Sequence, residues 1–127
     1  MPGGVHASND WWGSSARGAV PLGWTISPAL AELAPSIMQR YYREASASDV
    51  FVAGPSGVAY TFPDAIANAS EFAASSMRYM RRSNLSIVNV IANSDCDVDC
   101  ALPYVLAGAD AVFLYTYGCV HNLQSMH

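Results

Sequence analysis

Polar and apolar positions alternate between short, nearly continuous apolar runs and longer stretches with helical spacing. The short runs lie at 20–26, 50–53, 86–91 and 111–115, and their β-branched and aromatic content predicts four strands. Between the first two, Leu30, Leu33, Ile37 and Tyr41 recur at i, i+3, i+7 and i+11, one face of a helix over 29–45. Ser27-Pro28 is its start signal, a capping hydroxyl followed by a proline at the first helical position. Pro35 lacks a donor and disfavours the helical state at Ala34, so a kink or two short helices are expected. A second helix is predicted from Asp64 to about Arg82, with Ile66, Ala69, Ala73, Met77 and Met80 on one face and Arg78, Arg81 and Arg82 near its negative end. A third, over 101–107, is shortened by Pro103 and stopped by Gly108.

Strand and helix therefore alternate, and the strands begin about 25–36 residues apart, the length of a βα unit in a parallel sheet. A complete eight-unit barrel takes ~250 residues. The expected architecture is α/β, with parallel βα units making about half of a TIM-like (β/α) barrel. Residues 1–127 read as a single incomplete domain, a piece of a larger α/β protein, with 1–19 as an irregular N-terminal segment.

Composition narrows the chemistry. The 127 residues are 52% hydrophobic and 13% charged, with a net charge of −4. Six scattered arginines in an acidic chain argue against nucleic acid or an anionic membrane as partner. Lysine is absent, which removes Schiff-base catalysis and the P-loop. No run of eighteen apolar residues predicts a spanning helix, and the opening MPGGVHASND lacks the features of a secretory signal. Cys96, Cys100 and Cys119 read as buried thiols of a reducing compartment rather than a disulfide framework, with a Cys96–Cys100 pair left open.

Parallel α/β folds gather function beyond the carboxyl ends of their strands. Asp49 and Asp110 precede strands and are expected to cap turns on the opposite edge; Glu32, Glu44 and Glu71 are expected to face solvent. The functional rim would hold Trp24, Thr25 and Ser27, residues 54–60, Asn93, Ser94 and Asp95, and Tyr115 and Tyr117. Asp95, Asp97 and Asp99 alternate after the third strand but lack the glycine and distant glutamate of an EF-hand; Asp97 or Asp99 suits a helix cap. Asp95, nearest the strand end, is the candidate catalytic acid or base, and no second carboxylate stands out beyond the distant Asp10. Ser56 misses the G-x-S-x-G elbow because residue 58 is Val, and reads first as a turn hydroxyl. His6, His121 and His127 lie near the termini, which excludes an internal Ser-His-Asp triad or HExxH site. Trp24, Tyr60, Tyr115 and Tyr117 offer flat faces for a sugar, or equally close the top of a core. Met38, Met77 and Met80 read as core filler, and Trp11-Trp12 have no assigned role.

The segment Gly57-Val58-Ala59-Tyr60-Thr61-Phe62-Pro63 resembles the signature of the GxGYxYP proteins, a family of glycoside-hydrolase-like domains. Arg17-Gly18, PLGWTISPALAELAP over 21–35, Tyr41-Tyr42, DVFVAGPSG over 49–57 and SIVNVI over 86–91 extend the resemblance across most of the chain. Two positions depart from it: Ala59 replaces the second glycine, and Phe62 replaces the second tyrosine without its hydroxyl. The resemblance implies a carbohydrate ligand or substrate, with further acidic residues in a part of the family's fold that precedes Trp11-Trp12. On that basis Trp24 and Tyr60 are expected to stack on sugar, Ser56 and Asn93 to bind hydroxyls, and Asp95 to act as acid or base, with no metal or cofactor. The alternatives are a non-catalytic carbohydrate-binding domain and a structural fragment.

Overall fold

The computed structural model describes residues 11–93 and 98–116. Four strands, β1 (Leu22–Ile26), β2 (Asp49–Ala53), β3 (Ile87–Ala92) and β4 (Ala111–Thr116), form one parallel sheet in the order β1-β2-β3-β4. Each falls within two residues of its predicted position. The linking helices are α1 (Leu30–Leu33), α2 (Pro35–Glu44), α3 (Ala69–Arg82) and α4 (Val98–Leu106). Strand order equal to chain order, with crossovers of one hand, sets the helices on one face of the sheet.

That face carries the core. Ala53, Val88 and Val90 from the strands pack with Ala73, Met77 and Met80 of α3 and Tyr104 of α4, all at most 2% exposed. Ile26, Phe51, Val112 and Leu114 join them. The alternation of side chains along a strand sends Val50, Val52, Asn89, Ile91, Phe113 and Tyr115 to the other face.

Proline and polar caps explain where the helices depart from the sequence reading. Pro35 sits at the first position of α2 and separates it from α1. The break shifts the helical phase, so Leu33 and Ile37 are exposed and Met38 is the buried residue of α2. Ser27 Oγ accepts the Ala29 N–H at 3.3 Å, capping the turn that enters α1. The helix expected from Asp64 starts later: Pro63–Ala65 is a single 3-10 turn, and α3 begins at Ala69, where the Asn68 side chain accepts the Glu71 N–H. α4 begins at Val98, three residues before the predicted start, so five of its residues precede Pro103, and the helix carries the proline inside it and runs on to Leu106. Arg81 donates to the Ala107 carbonyl at 2.7 Å and closes that helix end.

The N-terminal edge is held by one aromatic and ionic cluster. Trp12 packs on Trp24, Tyr41 and Phe51 with ring centroids 5.2, 5.0 and 5.8 Å away, and the Arg17 guanidinium lies 4.1 Å from its centroid. Its indole N–H donates to Glu44, which also pairs with Arg40, so Glu44 is an anchor rather than a solvated acid. The Asp49 side chain is fully buried and accepts from the Ser46 N–H, Trp24 Nε1 and Arg17, each at 2.7 Å. It thus caps the turn before β2, as its position predicts. Chiefly the Ser46 N–H, with Trp24 and Arg17 also contributing, holds its carboxyl below the ordinary 3.8, at about 2. A lowered folded pKa gives stability that is complete above the unfolded value and is lost as pH falls through the folded one. Wild-type stability is therefore expected to decline between about pH 4 and pH 2, and Asp49→Asn to flatten that limb while lowering the melting temperature at pH 7. Melts across this range read both effects.

Candidate functional site

At the C-terminal edge, the loop after β2 is built from its residues upward. The Gly54 N–H continues the β1 ladder by donating to the Ile26 carbonyl at 3.2 Å. Ser56 then takes the place of a strand residue opposite Val90. Its N–H donates to the Asn89 carbonyl at 2.6 Å, and its hydroxyl, in the role a backbone carbonyl usually fills, accepts the Ile91 N–H at 3.1 Å. The Ser56 carbonyl, freed from the ladder, accepts the Tyr104 hydroxyl at 2.9 Å. Burial pushes the Tyr104 pKa upward and keeps it a donor. Ser56 is fully buried and its oxygen is committed to β3. The expectation that it binds a sugar hydroxyl is thereby corrected.

Gly57, the first residue of the signature, has φ +93° and would place a Cβ 2.5 Å from Ser76 Oγ. This is a position for glycine alone. Ser76 Oγ in turn accepts the Val58 N–H at 3.2 Å, tying the loop to α3. Ala59 is exposed and is not among the residues of positive φ, so the departure from the second signature glycine costs no backbone strain. Tyr60 and Phe62 meet edge to face, centroids 5.9 Å apart, with the Tyr60 ring on the outside and 61% exposed. Pro63 is buried and starts the 3-10 turn. That turn delivers Asp64 to the end of β3, where both carboxylate oxygens lie 3.1 Å from the Asn93 N–H.

The loop thus turns Tyr60 outward and brings Asp64 to Asn93. Trp24 is not part of this arrangement: its indole reaches Asp49, which pairs with Leu22 at the opposite edge, so the ring is structural there. Asp95 and Tyr117 lie outside the described residues. Asp64 escaped the sequence reading because Pro63-Asp64 looks like a helix start; its signal was a carboxylate directly following the signature. Two clefts, of about 380 and 330 Å³, lie at the N-terminal edge around Tyr42 and Asn84. Among the described residues no three His, Cys, Asp or Glu side chains come together as a metal site. Cys100 is disulfide-bonded, with its partner outside the described residues, which corrects the reading of three free thiols. No described helix is long and apolar enough to cross a membrane.

A family model described as "GxGYxYP putative glycoside hydrolase C-terminal domain" matches residues 4–124. The chain belongs to the GxGYxYP family. A crystal structure described as a "putative hydrolase" from Bacteroides thetaiotaomicron superposes on this GxGYxYP chain with a TM-score of 0.78 at 35% identity, covering 85% of it. The chain spans 22% of that protein's length. No curated protein matches it. Within the family signature, Gly57 and Pro63 are accounted for by packing, while Ala59 and the Tyr60 ring are turned to solvent.

Proposed function

We propose that the chain is part of a carbohydrate-active, glycoside-hydrolase-like domain that engages a glycoside at the C-terminal ends of its strands. The observation that carries this reading is the exposed Tyr60 ring, presented by a loop in which Ser56, Gly57 and Pro63 are consumed in packing and which goes on to set Asp64 against Asn93. A flat apolar face with a polar tip suits a sugar ring, and amide and carboxylate groups beside it suit hydroxyls. Tyr60 would stack, Asn93 would bind hydroxyls, and Asp95, two residues beyond Asn93, would serve as acid or base. Trp24 and Ser56 have no part in it. The βα units would be about half of a TIM-like barrel, whose remaining units supply the rest of the site. Neither nucleic acid nor membrane is a partner in this reading.

A non-catalytic sugar-binding role is favoured by one observation, the Asn93 N–H contact that engages both oxygens of Asp64. A panel of aryl glycosides, assayed with the complete polypeptide, separates the two. Cleavage is expected, and Tyr60→Ala should raise KM roughly tenfold, the loss of about 1.4 kcal/mol of stacking and burial. Binding without turnover favours the second reading, and a KM unchanged by Tyr60→Ala removes the ring from the site.

A further inference from the structure

The helices cover one face of the sheet; on the other, Val52 and Ile91 are buried at the centre and the exposure lies around them. Val50 is 48% and Phe113 60% exposed there, and Asn89 Oδ1 is buried without a hydrogen-bond partner. Parallel sheets are ordinarily covered on both faces. β1 and β4 are the outermost strands of the described sheet.

We propose that this face, open at Val50 and Phe113, is the docking surface for further β/α units of the same polypeptide, which lay apolar side chains over Val50 and Phe113 and bring a donor to Asn89. The inference rests on the half-barrel reading above and names what completes it. Size decides between occupants. Four strands about 4.8 Å apart, each some five residues long at about 3.3 Å per residue, give a face of roughly 300 Å². A stable complex of separate chains needs about 800 Å² from each partner. A second copy docked on this face alone falls well short, whereas units carried on the same chain need no bimolecular association. The related Bacteroides thetaiotaomicron chain has that additional length, since this chain corresponds to 22% of it. The orphan at Asn89 sets a chemical requirement besides: the cover is not wholly apolar, and one N–H or O–H must arrive in the middle of β3.

Hydroxyl-radical footprinting read by mass spectrometry tests this without any substrate. The probes are this chain alone and a chimera in which it replaces the matching segment of the Bacteroides thetaiotaomicron hydrolase. Oxidation of Val50 and Phe113 is expected to fall about fivefold or more in a monomeric chimera, following the loss of exposed area. Equal reactivity in a folded chimera overturns the proposal. So does a discrete dimer of the isolated chain with Phe113 protected, or an isolated monomer already protected at both positions. Where the chimera does not fold, the intact hydrolase is footprinted at the residues superposing on Val50 and Phe113: protection there supports the proposal, and exposure overturns it. Loss of glycoside cleavage with protection intact would strike the functional reading alone.

Discussion

Gly57→Val is expected to abolish cooperative folding. The backbone at Gly57 has φ +93°, where an L side chain costs about 1–2 kcal/mol. Its Cβ would also lie 2.5 Å from Ser76 Oγ and 2.6 Å from Ser76 Cβ. Neither atom can yield cheaply, because Ser76 is fully buried in α3 and its hydroxyl holds the Val58 N–H. Overpacking of this kind costs about 1–3 kcal/mol, and the lost hydrogen bond about 1 more. A total on the order of 3–6 kcal/mol competes with the whole stability of an ordinary domain. Since the first clash is at Cβ, Gly57→Ala should be nearly as damaging. Ala59→Gly is the contrast, with a change of about 1 kcal/mol or less at an exposed position without backbone strain. Urea and thermal melts of the three variants decide it; a Gly57→Val melt within a few degrees of wild type would contradict the packing account.

In a complete polypeptide that cleaves a glycoside, Asp95→Asn is expected to lower kcat by about 10²–10⁴. An amide of the same shape can neither give nor take the proton that general acid–base catalysis moves. Asp64→Asn should cost only a few-fold, because its amide oxygen still accepts the Asn93 N–H that Asp64 holds at 3.1 Å. Far-ultraviolet circular dichroism and melting temperature are expected to stay near wild type in both. The reverse pattern, with Asp64→Asn losing orders of magnitude and Asp95→Asn little changed, would transfer the proton-handling role to Asp64. The retaining and inverting mechanisms both need two carboxylates, so the pair of variants also tests whether one of them already lies on this chain.

The strands were legible because β-branched runs bounded by turns are a local signal, and the parallel order followed from their spacing. The Pro35 break was legible for the same reason, but the face of α2 was not, since the break resets the helical phase by an amount sequence does not specify. Trp24 was misplaced because its direction is decided by Asp49, 25 residues away, rather than by its place in β1. Ser56 looked like a free turn hydroxyl until β3 came alongside and claimed it. Asp64 was hidden by a helix start that Asn68 takes instead. In each case the missed information is a long-range partner that outcompetes a local preference.

The union of Gly57 with Ser76 bears on how sequences of this kind should be sorted. The glycine that gives the signature its first letter is fixed by a steric requirement between a loop and a helix, not by any group that could touch a substrate. A glycine–serine pair at these positions is therefore diagnostic of architecture. A homologue that keeps the pair is expected to keep the scaffold whatever its chemistry, so the motif's first letter by itself carries no activity from one sequence to another.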